Sequence, residues 1–187
     1  MIVIVSGPGG VGKGTVVARL LELRPDLRSS RSWTTRAQRP GEPDAAYVFV
    51  DRPTFRARID AGGFDEWTEF SGTGELYGTP TLDRAGGADS GEDDVVVLEI
   101  ELDGAQQIKR RYPDAQLVLI VAPGLAAQEA RLRARGDSDQ HVRRRLEVGA
   151  EEERVGRRLA DHVVVNDDVD RAARELAGIL PSRRSAC

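Results

Sequence analysis

The stretch that decides the fold is Ile2-Val3-Ile4-Val5-Ser6-Gly7-Pro8-Gly9-Gly10-Val11-Gly12-Lys13-Gly14-Thr15. Its first four residues predict a buried strand, and a helical pattern begins near Lys13. Glycines let successive backbone N–H groups turn toward an anion, the start of the helix adds its dipole, and a lysine supplies positive charge near the β- and γ-phosphates. The stretch therefore predicts a phosphate-binding loop for a nucleoside triphosphate, formed by Gly7, Pro8, Gly9, Gly10, Val11, Gly12, Lys13, Gly14 and Thr15.

One position departs from the strict form of this motif. The residue after Lys13 is Gly14, so the hydroxyl that usually contacts Mg²⁺ is displaced to Thr15. We therefore predict that Thr15 contacts Mg²⁺ through a water molecule. The alternative interpretation of the whole stretch is a glycine-rich turn between a strand and a helix, without a ligand.

The composition restricts the class of protein. The chain has 187 residues, of which 40% are hydrophobic, enough for one compact core with small appended parts and without an apolar run that could span a bilayer. A strand that begins at residue 2 leaves no room for a secretory signal, so we expect a cytoplasmic enzyme that is not associated with a membrane. The net charge of −4 argues against a general nucleic-acid-binding protein. The single cysteine, Cys187, excludes a disulfide framework.

Apolar runs and helical patterns alternate along the chain. Short apolar runs occupy residues 2–5, 95–100, 117–121 and 163–165, and helical patterns begin near residues 13, 103, 125, 139 and 168. Parallel strands buried on both faces produce such runs, so we predict an α/β fold with a mainly parallel sheet flanked by helices. A single domain of residues 1–187 would have its core in residues 1–28, 81–123 and 160–187.

Residues 29–80 differ in composition from the rest of the chain, because they are rich in aromatic residues, arginine, proline and glycine. This indicates an inserted, mixed β-rich segment. Within it, residues 52–61 predict a short helix with Asp51 as N-cap, Pro53 in the first turn, and Gly62 and Gly63 after its end. Residues 85–94 predict a polar loop, and residues 181–187 predict a frayed tail.

Two arginines in the inserted segment predict an anion site. Arg36 and Arg39 are three residues apart, where proline and glycine prevent a long helix, and guanidinium groups hold phosphate oxygens in a forked geometry. The hydroxyl groups of Tyr47 and Tyr77 could donate to the same phosphate. The alternative is a solvated basic loop, because arginines are common on surfaces.

Together these motifs resemble the guanylate kinase family, which transfers the γ-phosphoryl group of ATP to GMP or dGMP. The resemblance runs almost from end to end. Its blocks are residues 7–15, 34–42, 66–67, 77–79, 98–100, 131–136, 145–146 and 165–168. The first block occurs in many nucleotide-binding proteins, whereas the others, in this order and spacing, are specific to the family.

The resemblance implies a role for particular residues. ATP with Mg²⁺ would bind at the phosphate loop, with Asn166 near the adenine, and a helical lid of residues 124–159 would close over the phosphates. The catalytic residues implied are Lys13, Arg36, Arg39, Arg131, Arg135 and Arg145. The GMP-binding residues implied are Ser32, Arg36, Arg39, Tyr47, Glu66, Tyr77, Thr79 and Glu101. Three features depart from the family: the loop before Tyr47 is one residue shorter, the stretch 72–76 before Tyr77 is longer, with Leu76 where a second tyrosine is common, and Glu101 and Asp103 stand where the family has an aspartate and a glutamine. Together these departures predict weaker binding of the acceptor.

Glu66 has a chemical reason to select guanine. An ionised carboxylate accepts hydrogen bonds from N1–H and the 2-amino group of guanine, whereas adenine has an unprotonated N1 there. A site of this kind discriminates by roughly 10⁴-fold, because a buried group left unpaired carries a desolvation cost. Without the family resemblance, Glu66 would be interpreted as a solvated carboxylate beside Asp65.

No general base is predicted, because the acceptor would be a phosphate oxygen that is already anionic. Two other functions stay open. One is a kinase for a phosphorylated sugar such as ribose 1,5-bisphosphate, which would not need Glu66. The other is a non-catalytic guanylate-kinase-like module that binds phosphorylated peptides, although the intact Lys13 and glycines argue against it. The sequence leaves the oligomeric state and the choice between GMP and dGMP open.

Overall fold

A computed structural model of the chain describes residues 1–70, 74–82 and 95–181. In chain order, its strands and helices are β1 (Ile2–Ser6), α1 (Lys13–Leu23), β2 (Arg28–Ser29), β3 (Trp33–Thr34), β4 (Val48–Phe49), α2 (Arg52–Asp60), β5 (Phe64–Glu69), β6 (Leu76–Pro80), β7 (Val96–Glu99), α3 (Leu102–Arg111), β8 (Gln116–Val121), α4 (Leu125–Ala134), α5 (Asp139–Leu159), β9 (His162–Val165) and α6 (Val169–Ile179). The predicted loop at 85–94 and the tail beyond residue 181 lie outside the described residues.

The central sheet has five strands in the order β2-β7-β1-β8-β9. Its neighbouring strands pair in parallel throughout, as their apolar runs predict. Because the strands run the same way, the carboxyl ends of β1, β7 and β8 meet at one edge. The predicted phosphate loop leaves the sheet at this edge, where ligands bind in open α/β sheets.

Two apolar layers cover the central sheet. On one face, α1 and α6 pack through residues such as Leu20 and Leu176, which are fully buried. On the other face, α3 packs through Ala105 and Ile108, and α5 contributes Val155. Burial on both faces fixes the sheet as a rigid base for the loops at its carboxyl edge.

The inserted segment forms its own four-stranded sheet in the order β4-β3-β6-β5. Strands β3 and β4 are parallel, whereas β3 with β6 and β5 with β6 are antiparallel, so the sheet is mixed as predicted. A small core of Phe55, Phe64 and Leu76 lies beneath it. Helix α2 begins as predicted, because the Asp51 side chain accepts a hydrogen bond from Thr54 N at 2.9 Å.

Within the described residues, every helix is too short or too polar to cross a membrane.

Candidate active site

The phosphate loop joins β1 to α1 in a conformation that requires glycine. Gly10 and Gly12 have φ angles of 85° and 89°, in the left-handed region that other residues rarely adopt. A β-carbon on Gly7 would lie only 2.1 Å from Ile120 O, so the chain passes β8 too closely for any side chain. The glycines that predicted the loop are therefore required by its shape.

Side-chain donors bind three alternate carbonyl groups of this loop. Lys13 Nζ donates to Gly7 O. Gln128 Nε2 donates to Gly9 O at 2.7 Å, and Asn166 Nδ2 donates to Val11 O at 2.8 Å. These bonds fix the orientation of the peptide planes, and so they define where the loop presents its N–H groups. Gln128 was not predicted from the sequence, since a glutamine within a helix carries no signal of such a contact.

Acidic groups lie close to Lys13. Its Nζ atom is 3.2 Å from Glu101 Oε1, and a β-carbon placed on Gly14 would lie 3.3 Å from Glu99 Oε1. Burial raises the pKa of the Glu99 carboxyl, Lys13 opposes this rise, and the neighbouring Glu101 adds to it. Glu99 was not among the predicted site residues, although its position at the end of β7, two residues before Glu101, could have indicated it.

A cleft lies between the central sheet and the inserted sheet. It brings together Lys13 and five of the predicted acceptor residues, Ser32, Tyr47, Glu66, Tyr77 and Glu101. The other residues that line it were not predicted: Thr68, Gly78, Glu99, Ile100 and Gly104. Five of the predicted acceptor residues therefore share one cleft with Lys13, and the unpredicted residues that line it include the carboxylate of Glu99.

Glu66 is only 4% exposed and lies in this cleft. Its Oε1 atom accepts hydrogen bonds from Thr79 N at 3.0 Å and Thr79 Oγ1 at 2.7 Å. Burial raises the pKa of Glu66, while the two bonds from Thr79 lower it. A β-carbon on Gly104 would lie 2.7 Å from Glu66 Oε2, so a glycine there makes room for the carboxylate. Thr79, predicted to contact the ligand, orients Glu66 in this structure.

The predicted arginine pair shares one carboxylate. Arg36 forms two bonds to Glu42, with distances of 2.7 Å and 3.0 Å, and Arg39 N donates to Glu42 Oε2 at 3.0 Å. Burial lowers the pKa of Arg36, but Glu42 and Tyr77 outweigh it and the net change is upward. Burial lowers the pKa of Arg39, and the positive charges of Arg36 and Arg135 lower it further. Three like charges near one another favour an anion between them.

The tyrosines complete this anion site. The guanidinium carbon of Arg36 lies 5.5 Å from the centre of the Tyr47 ring, and the rings of Tyr47 and Tyr77 are 6.1 Å apart. Burial raises the pKa of both phenols, so both remain neutral donors at physiological pH.

The three predicted lid arginines occupy different positions. Arg145 lies beside the phosphate loop, where its Nη1 atom is 2.9 Å from the position of a β-carbon on Gly9, and its guanidinium is 5.9 Å from the Phe70 ring of the inserted segment. Arg135 is at the end of α4, exposed, and near enough to Arg39 to affect its pKa. Arg131 donates to Val11 O at 3.0 Å and to Asn166 O at 2.7 Å. The structure thus places Arg135 near Arg39, Arg145 beside the phosphate loop, and Arg131 on the carbonyl groups of Val11 and Asn166, and none of the three lines the cleft.

The predicted Mg²⁺ residue, Thr15, is exposed in the first turn of α1. Hydroxyl and carboxylate oxygens are suitable donors for Mg²⁺, and Glu99 and Glu101 lie nearby at the carboxyl edge of the sheet. The described residues contain no group of three or more His, Cys, Asp or Glu side chains that could hold a metal alone. These donors fit an ion that takes most of its ligands from phosphate groups and water, as Mg²⁺ does in kinases.

The fold and the loop together define a nucleotide-binding protein of the P-loop class, in which Lys13 of the loop lines a cleft that it shares with the inserted sheet. The guanylate kinase family model matches residues 1–183. A guanylate kinase of Thermus thermophilus is 45% identical over 97% of this chain and 80% of its own length. One from Prochlorococcus marinus is 39% identical over 96% of this chain and 95% of its own length.

A crystal structure of guanylate kinase from Anaplasma phagocytophilum is similar in fold, with a TM-score of 0.71 and 27% identity, over 96% of this chain and 82% of that one. The chain belongs to the guanylate kinase family. This confirms the predicted family, the α/β fold with its mainly parallel sheet, and the prediction of a kinase.

Proposed function

We propose that this protein transfers the γ-phosphoryl group of ATP to GMP, by holding the two nucleotides in line across the cleft and neutralising the charge of the transferring group. The observation that carries the proposal is the position of Lys13. It belongs to the phosphate loop and also lines the cleft that contains Glu66, Tyr47 and Tyr77. A donor phosphate and an acceptor phosphate would therefore meet beside one positive charge.

ATP would bind with its phosphates at the loop, where backbone N–H groups and the start of α1 attract anions. Mg²⁺ would be held there by ATP oxygens and water, with Thr15, Glu99 and Glu101 as the protein groups closest in chemistry to its needs. When bound, the ion neutralises negative charge on the phosphates. Asn166, which is buried and holds Val11 O, would lie near the adenine in the loop after β9.

GMP would bind in the cleft with its phosphate between Arg36 and Arg39 and with the hydroxyl groups of Tyr47 and Tyr77 as further donors. Glu42 holds Arg36 in place by two bonds, so little side-chain entropy remains to be lost when the phosphate arrives.

The base would be selected by Glu66, together with Ser32. Thr79 occupies Oε1 of Glu66 and leaves the second carboxylate oxygen, beside Gly104, for the donors of guanine. The cleft offers this carboxylate in a buried position, where an unpaired charge is costly. AMP would leave it unpaired, and so GMP would be the preferred acceptor.

The attacking oxygen of GMP is already anionic and needs no base. Arg135, near Arg39, and Arg145, beside Gly9 of the phosphate loop, would stabilise the charge of the transferring phosphoryl group. Arg145 lies close to both the phosphate loop and Phe70 of the inserted segment, so it would respond to closure of the cleft around the two nucleotides. Closure would exclude water and limit the hydrolysis of ATP.

The test is ADP release from ATP and Mg²⁺ by the purified protein, with GMP, AMP, UMP or ribose 1,5-bisphosphate as acceptor and with none. We expect turnover with GMP far above the other acceptors. Activity with the sugar phosphate alone would contradict the assignment of Glu66. Silence with every acceptor, combined with binding of a phosphopeptide, would contradict catalysis.

A further inference from the structure

Helix α4 contacts three successive residues on the outer side of the phosphate loop. Gln128 donates to Gly9 O at 2.7 Å, and Arg131 donates to Val11 O at 3.0 Å. Between them, a β-carbon on Gly10 would lie 2.7 Å from the side chain of Leu132. One face of the helix is therefore fitted to the back of the loop, opposite the side on which phosphates would bind.

Gln128 is a polar residue in a buried position. It is only 5% exposed, and burying an amide costs free energy unless the amide is hydrogen-bonded. Helix α5 makes room for it with Gly149. A β-carbon there would lie 3.2 Å from Gln128 Nε2 and 3.2 Å from Pro8 Cβ. The bond to Gly9 and the space beside Gly149 together accommodate the buried amide of Gln128.

The bond has a direct consequence for the loop. The carbonyl group of Gly9 and the N–H group of Gly10 belong to one peptide unit, which is trans and planar. In a trans peptide the two groups point in opposite directions. A donor that holds the carbonyl oxygen toward α4 therefore directs the N–H group of Gly10 away from α4, toward the phosphate side of the loop.

We propose that Gln128 is a positioning residue for the nucleoside triphosphate, which acts through the Gly9–Gly10 peptide unit and transmits the position of α4 to the loop. The proposal rests on the proposed binding of ATP at this loop. Gln128 itself does not touch the phosphates. Removing the Gln128 amide should weaken binding of the nucleoside triphosphate. Without it, the Gly9–Gly10 peptide unit would no longer be held in the binding orientation before the ligand arrives.

The experiment compares Gln128→Leu and Gln128→Glu with a matched control, Gln140→Leu, in which an exposed glutamine of α5 changes in the same way. The dissociation constant of ADP is measured calorimetrically without GMP, and KM for ATP and for GMP is measured in steady state. We expect Gln128→Leu to weaken ADP binding about tenfold and to raise KM for ATP equally, the size of one lost hydrogen bond. KM for GMP should change less than twofold.

The glutamate variant tests whether Gln128 acts as a hydrogen-bond donor or only fills space. It has nearly the size of glutamine, but at neutral pH its carboxylate would face the carbonyl oxygen of Gly9 without a proton to donate. We therefore expect a larger loss of ADP affinity in Gln128→Glu than in Gln128→Leu. Unchanged ADP affinity in the leucine variant, or equal losses of affinity for ADP and GMP, would overturn the proposal.

If Gln128→Leu does not fold, Gly149→Ala tests the same contact while Gln128 stays in place. The added methyl group should displace the amide and weaken ADP binding, and it should do so less in a Gln128→Ala background. An equal effect in both backgrounds would contradict the proposal. A wild-type protein that binds ADP but transfers nothing to GMP would refute the proposed function, and the ADP measurements would still decide the role of Gln128.

Discussion

The donor and acceptor sites of this protein lie on one cleft but are built from different parts of the chain. The phosphate loop is a continuous stretch of nine residues, and its anion site is backbone. The acceptor site is made of side chains from β5, β6, the residues just before β3 and β4, and the turn before α3, which lie far apart in the sequence. A backbone site is specified by local conformation, whereas a side-chain site depends on the packing of two sheets.

The two sites are also held in place differently. In the donor site, side chains from elsewhere bind carbonyl groups of the loop, as Gln128 does at Gly9. In the acceptor site, side chains hold each other, as Glu42 holds Arg36 and Thr79 holds Glu66. Single substitutions should therefore separate the two functions, and the following changes test whether they do.

The largest effect is expected from Lys13→Ala. This change removes the positive charge beside the transferring group, so phosphoryl transfer should fall about 10³-fold, while GMP binding measured by calorimetry should stay nearly unchanged. The matched control is Lys109→Ala, because Lys109 pairs with Asp161 on the surface. Equal losses of transfer and GMP binding would show that the two sites are not separable at Lys13.

Glu66→Gln should damage the acceptor site alone. The amide keeps an oxygen for Thr79 but loses the charge that pairs with guanine, so kcat/KM for GMP should fall about 10²-fold while KM for ATP holds. For IMP, which lacks the 2-amino group, the same substitution should lower kcat/KM by a smaller factor. Glu69→Gln on the same strand serves as the control, since Glu69 pairs with Arg52 at the surface. A similar loss for GMP and IMP would contradict the proposed contact to the 2-amino group.

Glu42→Gln tests whether the acceptor arginines need their internal partner. Loss of the charge should release Arg36, which is only 8% exposed, from its fixed orientation, and KM for GMP should rise about tenfold. The change of KM should decrease at high salt if it arises from charge. Tighter binding of GMP in the variant would mean that Glu42 competes with the phosphate rather than orienting Arg36.

The same contrast explains how much could be predicted from the sequence. Residues 2–15 predicted a strand, a loop and a helix correctly, because glycine conformation and apolar runs are local properties. Arg36 and Glu66 could be placed in one site only through the family resemblance, since nothing local shows that their strands pair. Gln128 was missed because its bond to Gly9 arises from the tertiary fold, whereas Glu99 was missed although it ends a predicted strand two residues before Glu101.

A smaller effect is expected at the junction of the inserted sheet with the core. Asp65, whose side chain is fully buried, accepts hydrogen bonds from Leu82 N at 2.8 Å and from the hydroxyl of Tyr112 at 2.7 Å. Arg111 Nε lies 3.1 Å from its other oxygen. Tyr112→Phe should therefore lower the free energy of unfolding by about 1 kcal/mol, the cost of one donor lost to a buried group.

Tyr112→Phe should leave the guanine selectivity of the acceptor site intact, because Tyr112 bonds to Asp65 of β5 and not to Glu66. Chemical denaturation measures the stability, and kcat/KM for GMP relative to AMP measures the selectivity. A double-mutant cycle with Asp65→Asn should show a smaller effect of Tyr112→Phe in that background. Additive effects would mean that the two residues do not act together.

The smallest effect concerns Glu152 of α5, which lies near both sites. Burial raises the pKa of its carboxyl to about 7, the negative charge of Glu101 adds to the rise, and Lys13 and Arg145 oppose it. Because the folded pKa lies above the ordinary value of 4.5, the folded protein binds the extra proton between about pH 4.5 and 7. Stability contributed by this group is present below that range and is lost as the pH rises through it.

Glu152→Gln removes both the titration and the charge that repels ATP. At pH 6 the wild type is mostly neutral at this position, so the variant should bind ATP equally well. At pH 8 the variant should bind about threefold more tightly, since a single partly screened charge has been removed. At each pH, the affinity of the variant for ATP is divided by that of the wild type, so that the ionisation of ATP itself cancels. The control is Glu147→Gln, an exposed change on the same helix, for which this ratio should not depend on pH. A constant ratio for Glu152→Gln would mean that the charge of its carboxylate does not act on the donor site.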